Sequence, residues 1–401
     1  MSASPLLNKT NILKKNQLKV IHNCPVWLPL TQIWLYNQIR YLPDNIENHI
    51  VCQKVLNLEQ FYLPNIHSFT GISKWQFSID KILGKLKLHD YLEFRVKVAK
   101  REKATLLHSH FGNAGWANLT VAQKAGLKHI VTFYGIDVNG LPKTDPIWGK
   151  RYQKLFEAAD LILCEGSHMA QCIVDLGCPK NKVLVHHLGI SIDRIEFKPR
   201  SWNPQTPLKI IICATFREKK GIPYALEALG QLQHRTPLEI TIIGDANSKN
   251  FGEQQEKQRI IETISKYNLN SKVRLLGYQP HDVFLKEAEQ HHIFISPSVT
   301  ASDGDTEGGA PVSIIEMAAS GMPIVSTTHC DIPEIVLDGV TGFLAQERHV
   351  SGLLSILTHL IDHPDWNKML ISGRKHVELE YNAEIQADKL AELYQKVVLT
   401  N

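Results

Sequence analysis

Residues Asp303–Glu316 read DGDTEGGAPVSIIE, an acidic, glycine-broken loop that runs into Pro311 and then into an apolar helical pattern at Val312, Ile315 and Ala319, closed by Gly321 and Pro323. Proline is tolerated in a first helical turn because its missing N–H would be unpaired there, and glycine is a common stop. Gly308 and Gly309 lack a Cβ, so the free amides of this helix start can approach an anion closely. The turn Gly308, Gly309, Ala310, Pro311 and Val312 is therefore a candidate phosphate cradle. Glu307 precedes it and Glu316 lies just inside the helix, so one carboxylate can reach the polar end of a ligand and the other a second hydroxyl cluster. Phosphate flanked by hydroxyls at both ends describes a sugar nucleotide.

The longer stretch 307–344, EGGAPVSIIEMAASGMPIVSTTHCDIPEIVLDGVTGFL, resembles the donor-site segment of the retaining glycosyltransferases of family 4, in particular their colanic-acid and exopolysaccharide branch. The resemblance implies a GT-B fold: α/β, two Rossmann-like doubly wound domains facing a cleft, with a C-terminal helix crossing back to the first domain. One spacing departs from the family pattern. Eight residues separate Glu307 from Glu316, one more than is usual, so either Glu307 or a neighbouring amide meets the sugar.

At 401 residues the chain exceeds the size at which one core keeps growing, and two domains are expected. No apolar run approaches the ~18–20 residues that cross a bilayer. The first seventeen residues are polar and basic with no apolar segment, which reads as a disordered arm. Seven scattered cysteines without a C-x-x-C pair fit a reducing, cytoplasmic compartment. The histidine pairs His108/His110, His186/His187 and His291/His292 lack carboxylate or cysteine company at ligand spacing, so no metal site is expected.

Residues 1–200 hold 26 Lys and Arg against 15 Asp and Glu, whereas residues 201–401 hold 18 against 25. A basic first half suits an anionic acceptor or membrane surface. Between Lys81 and Lys103 eight basic residues are interleaved with apolar ones; this pattern reads equally as a helix lying on anionic lipid or as a solvated helix face.

Along the chain, Leu18–His22 reads as a first buried strand, Asn23–Thr31 as a loop, and Gln32–Leu42 as a helix whose Trp34 and Tyr36 suit either the acceptor side or the core. Thr105–His110 and His129–Phe133 read as strands followed by the loops FGNAG and YGID. Loops at the carboxyl ends of neighbouring parallel strands converge on a ligand crevice, which makes His110, Tyr134, Gly135 and Asp137 first-domain site candidates. Family members commonly carry a histidine where Tyr134 stands, so that role passes to His110 or Asp137 or is dispensed with. Strands at Ala159–Glu165 and Lys182–His187 close a first domain, 18–195, and residues 196–207 read as a linker.

The second domain, 208–375, opens on the apolar strand Leu208–Ala214, followed by the basic loop TFREKKG. Arg217 and Lys220 are placed to neutralise a diphosphate, the guanidinium by binding two oxygens and the ammonium as a point charge. Positive charge at a helix start opposes the dipole unless an anion is present. The family's usual arginine falls where Thr215 stands, so Lys220 matches directly and Arg217 by a shift of two. Leu238–Gly244 with Asp245, Lys272–Gly277 with Tyr278, and Ile293–Ser296 continue the strand pattern. By resemblance, the turn after Gly277 holds the base through backbone groups. Helices at Ser351–Asp362 and Ala383–Val398 follow, the latter within a crossover segment, 376–401.

The resulting expectation is a retaining, metal-independent hexosyltransferase without a cofactor. Its donor would be a UDP- or GDP-sugar, held by Arg217, Lys220, Asp245, Tyr278, the 308–312 turn and Glu316, with Glu307 at the sugar. The acceptor, a saccharide or lipid-linked oligosaccharide of surface or extracellular polysaccharide synthesis, would meet His110 and Asp137. The enzyme would be cytoplasmic, peripheral on the inner membrane face, with no nucleic-acid partner. Two other classes fit the same cradle: a GT-B sugar-nucleotide epimerase, which would convert donor without acceptor, and a non-catalytic nucleotide-sugar-binding subunit, which would bind without turnover.

Overall fold

The computed structural model describes residues 17–29, 32–70 and 90–400. The expected arm falls almost wholly outside these residues, as does the first part of the basic stretch that begins at Lys81. The chain divides into two compact units, one made of residues up to Gly189 together with those from Ala383 onward, the other of Ile190–Asn382.

The first unit holds a parallel sheet of strands β1 (Leu18–Trp27), β2 (Ile46–Val55), β3 (Ile66–Ser68), β4 (Leu106–His110), β5 (Lys128–Thr132), β6 (Leu161–Cys164) and β7 (Val183–Val185), in the order β3-β2-β1-β4-β5-β6-β7. Strand side chains alternate between faces. Val20 accordingly packs with Leu35, Ile39 and Leu390 on one side, while Ile21 packs with Val96, Leu107 and Val121 on the other. A sheet covered on both faces favours apolar residues at every strand position, as in β6 (LILC), whereas β4 (LLHSH) and β5 (KHIVT) bury polar side chains that must find partners. The loop expected from Asn23 is instead strand as far as Trp27. Residues through Trp27 pair in parallel with β2 up to Val55, and the polar residues of β2 (Glu47, Asn48, His49, Gln53, Lys54) hide that strand from a search for apolar runs.

The second unit repeats the plan with β8 (Leu208–Cys213), β9 (Leu238–Ile243), β10 (Val273–Leu275), β11 (Ile293–Ser296), β12 (Ile324–Thr327) and β13 (Phe343–Ala345), ordered β10-β9-β8-β11-β12-β13. Ile210 and Ile212 face the helices Ile222–Leu232 and Val350–Asp362, while Ile211 faces the helix Val312–Ala319. Each such fully buried aliphatic side chain contributes about 1.5–3 kcal/mol of transfer free energy.

The stretch read as a linker, 196–207, belongs to the second unit. The Lys198 amide donates to the Ser320 carbonyl at 3.0 Å, the Arg200 amide to that of Gly321 at 2.9 Å, and Trp202 is buried in its core. A helix at Asn367–Glu380 closes this unit, so the return to the first unit begins at Ala383 rather than at 376. The following helix, Ala383–Leu399, supplies Ala387, Leu390, Ala391 and Tyr394 to the core of the first unit.

Candidate active site

Each sheet reverses its direction of growth between two neighbouring strands, β1 and β4 in the first unit and β8 and β11 in the second. At such a switch point the connections leave toward opposite faces, opening a crevice at the carboxyl ends of the strands. The residues singled out from the sequence cluster around these two places.

In the second unit the loop after β8 carries Arg217, Lys219 and Lys220, and the segment after β11 carries Ser298, Asp305 and Glu307. Gly221 lets the two pass. Its φ is 62°, and a Cβ there would stand 1.9 Å from the Pro297 carbonyl oxygen. Lys220 Nζ lies 2.7 Å from Glu307 Oε2, and Ser298 Oγ donates to Oε1 at 2.6 Å. Burial of Glu307 by itself pushes its carboxyl upward, but Lys220, Lys219 and the Ser298 hydroxyl together outweigh that and hold it at about 2. The Glu307 amide donates to His329 Nε2 at 3.1 Å, which leaves the ring proton on Nδ1, donated to Glu347 Oε1 at 2.6 Å.

Asp305 receives Arg217 Nη2 at 2.6 Å and Lys219 Nζ at 3.2 Å, and Lys219 also donates to the Thr306 carbonyl at 2.7 Å. Both cations expected to meet a diphosphate are thus engaged by carboxylates of the acidic loop. Gly308 adopts a φ of 82°, and Pro311 stands immediately before the helix Val312–Ala319. Among the described residues, the amides of Gly309 and Ala310 have no acceptor. Glu316 is buried in that helix, and its Oε1 lies 2.8 Å from His281 Nε2. This hydrogen bond raises the His281 ring above its ordinary value, against burial. Asp245, after β9, is held by Lys257 at 2.6 Å and by the Ala246 amide at 2.7 Å, whereas Tyr278 is exposed.

Six residues that complete this arrangement, Lys219, His281, Ser298, Asp305, His329 and Glu347, are not singled out by the sequence. His329 lies inside the longer stretch 307–344, but nothing local marks it as the acceptor for an amide 22 residues away.

In the first unit the site is built from rings. His22 donates from Nε2 to Asn48 Oδ1 at 3.0 Å, so its Nδ1 accepts from His110 Nε2 at 3.2 Å, and His110 Nδ1 accepts from the Tyr134 hydroxyl at 2.7 Å. Trp34 lies against Tyr134 with ring centroids 4.3 Å apart, and Phe111, at a φ of 78°, lies 4.9 Å from the same ring. Positive φ is uncommon for a bulky residue, and here it turns the chain directly from β4 into the helix Gly112–Ala125. Burial pushes His22 down to about 4 and His110 well below the usual histidine range.

Asp137 is fully occupied by backbone. Its oxygens accept from the Gly112 amide at 2.7 Å and the Tyr134 amide at 3.0 Å, which ties the loops after β4 and β5 together around Gly135. Burial pushes its carboxyl up to about 6, against these amides, which favour the ionised form. Asp137 therefore positions His110 and Tyr134. Nitrogens of His22, His108 and His110 lie within 4.8 Å of one another, but His108 bonds Tyr394 and Thr132, each at 2.6 Å, and neither of the other two rings, so all three are held by neutral partners.

Two parallel α/β sheets with their site residues at paired switch points define the GT-B class. The family model "Glycosyltransferase Family 4" matches residues 31–194 and "Glycosyl transferases group 1" matches 193–377. The chain is 32% identical to the amylovoran biosynthesis glycosyltransferase AmsK of Erwinia amylovora, over 72% of this chain and 69% of that one. It is also 32% identical to the putative colanic acid biosynthesis glycosyltransferase WcaL of Escherichia coli, over 75% and 72%. The chain belongs to this glycosyltransferase family. The structure of Anabaena Alr3699/HepE in complex with UDP and glucose shares the fold, with a TM-score of 0.75 at 17% identity, covering 94% of this chain and all of that one. Among the described residues no helix is long and apolar enough to cross a membrane.

Proposed function

We propose that the enzyme moves a hexose from a UDP-sugar, with retention of configuration and without a metal ion, to a saccharide acceptor carried on a lipid at the cytoplasmic face of a membrane. The observation that carries the donor assignment is the convergence of Arg217, Lys219 and Lys220 with the amide-lined start of the helix Val312–Ala319 at one switch point. On this reading Asp305 and Glu307 keep the cations in place until a diphosphate takes over as their partner. Lys220 and Arg217 then stabilise the departing nucleoside diphosphate, the step at which fixed positive charge gains most. Glu316, oriented by His281, receives the ribose hydroxyls, and the base lies near Tyr278.

Retention without a protein nucleophile follows the family resemblance. The acceptor oxygen bonds to the anomeric carbon on the face that the phosphate leaves, and the acceptor proton passes to a phosphate oxygen. Uridine is favoured by the Anabaena neighbour, described with UDP and with UDP-glucose. A lipid-linked acceptor is favoured by the two exopolysaccharide relatives and by the basic first half of the chain.

The test is thermal unfolding of the full chain with UDP, GDP and ADP and their sugars. A ligand at a hundred times its Kd adds about 2.7 kcal/mol, and several degrees are expected with the uridine series, lost in Glu316→Ala. No shift with any nucleotide would refute the donor site.

A further inference from the structure

A second cluster of chemistry-bearing side chains lies at the far edge of the first sheet, on β2, β3 and the end of the helix Tyr91–Arg101. His49 Nδ1 and His67 Nε2 stand 3.2 Å apart. One ligand atom each of His49, His67 and Glu102 lies within 4.8 Å of the other two. His49 Nε2 lies 2.8 Å from Glu47 Oε1. His49 is buried, while His67 and Glu102 are half-buried, so the cluster is open on one side.

In the metal-free chain these contacts form one ordered line of protons. Arg101 Nη2, a donor only, lies 3.1 Å from His67 Nδ1. That nitrogen must accept, so His67 Nε2–H donates to His49 Nδ1 and His49 Nε2–H donates to Glu47. The separation suits a second arrangement equally well. Two imidazole nitrogens on one tetrahedral zinc, each at about 2.0–2.1 Å, stand ~3.3 Å apart, against the 3.2 Å found. A ligand histidine that gives its other N–H to a carboxylate is the usual outer-shell arrangement of zinc sites, and Glu47 supplies it for His49.

We infer that His49, His67 and Glu102 form a binding site for a zinc-class divalent cation, with Glu47 as the carboxylate that orients His49. Two neutral imidazoles and one carboxylate suit that class, and the open side leaves room for a fourth, solvent ligand. The three-histidine group at the switch point differs in having only neutral partners. Binding requires one rearrangement. The His67 ring proton moves from Nε2 to Nδ1, and Arg101, whose side chain is 62% exposed, swings away because two donors cannot face each other. It also releases Glu102 Oε1, which it holds at 2.6 Å. Arg101 thus competes with the cation for both His67 and Glu102.

The test uses untagged full-length protein freed of metal by a chelator. Co2+ is titrated by its visible ligand-field absorption and Zn2+ by competition with a chromogenic indicator. One ion per chain is expected. His67→Gln, at a half-exposed position that keeps the unfolding midpoint, abolishes binding; Glu47→Gln weakens it about tenfold; and Arg101→Ala tightens it. Absence of binding by the unaltered chain overturns the proposal, as does binding unchanged in His67→Gln or weakened in Arg101→Ala. Donor-induced stabilisation by uridine nucleotides, read in parallel, is independent of either result.

Discussion

The two switch points occupy the same place in two sheets of the same topology, yet they are built from opposite materials. Between β1 and β4 the groups are neutral rings in series, His22, His110 and Tyr134, with burial setting their protonation. Between β8 and β11 they are full charges, with Lys219 and Lys220 strong enough to override burial and hold Glu307 at about 2. A neutral network can face a hydroxyl acceptor without competing for a counter-ion. A charged lattice can exchange one anion for another at small net cost. Burial alone therefore does not fix the electrostatic character of a site; the charge of the neighbours does.

The sharpest break in this contrast comes from Lys220→Ala, which leaves Glu307 buried without its closest cation. Removing one partner of a buried pair costs about 3–5 kcal/mol; denaturant unfolding should show that loss, and sugar transfer should vanish with it. Adding Glu307→Gln to Lys220→Ala should restore most of the stability but none of the transfer, which separates the fold's need for charge balance from the reaction's need for the cation.

Acidification should act on the two sites in different pH ranges. His22, His129 and His186, each lowered from 6.5 to about 4, take up protons more readily when unfolded. The first unit therefore loses stability as pH falls from about 6.5 toward 4, by on the order of 1–2 kcal/mol per ring at pH 5. Asp137, raised from 3.8 to about 6, has the reverse sign and offsets about 1 kcal/mol of that loss. Glu307, with its depressed value, keeps its contribution above about 4.5 and loses it only as pH falls toward 2. Thermal unfolding at pH 7 and pH 5 should show the first unit weakening more than the second, where His292, lowered to about 4, and His291 carry the same sign and His281, raised, opposes them; an equal decline of both would undo the contrast.

Tyr134→Phe removes the hydroxyl that donates to His110 and should cost about 1–3 kcal/mol by leaving a buried acceptor unpaired, read in the first unit's unfolding. Tyr134→His, the residue common in the family, should recover part of it. The smallest effect belongs to His281→Gln, a partly exposed partner of Glu316, worth at most about 1 kcal/mol in nucleotide affinity. Because the pair raises the His281 ring, its contribution is present at low pH and fades as pH rises through the raised value, so the variant's affinity should be flatter with pH than the unaltered chain's.

Much of the second unit was legible in the sequence. The apolar run of β8, the strand Ile293–Ser296, and the glycine, proline and apolar signals around the helix Val312–Ala319 all belong to one short segment each. The partners of those residues were not. Lys220 and Glu307 are 87 positions apart, and no local spacing reports such a meeting. In the first unit the reading failed at β2, where polar residues interrupt the apolar pattern. His49 and His67 likewise lie in different strands, so spacing within one segment does not report them; the pairing of β2 with β3 brings them together. The strap at 196–207 was misread for a related reason: proline and polar residues mark a stretch without regular structure equally well whether it hangs free or lies against a helix end.

The helix Ala383–Leu399 carries a consequence for how the protein is made. Tyr394 bonds His108 at 2.6 Å, and Leu390 and Ala391 fill the same core as Val20 and Leu106. The sheet that leaves the ribosome first thus lacks part of one wall until this helix emerges, while the second unit, continuous in the chain, has every residue it needs beforehand. The unit that begins the chain is thus the one whose set of core residues is completed second, and its histidine network gains the Tyr394 hydroxyl only once this helix has been made.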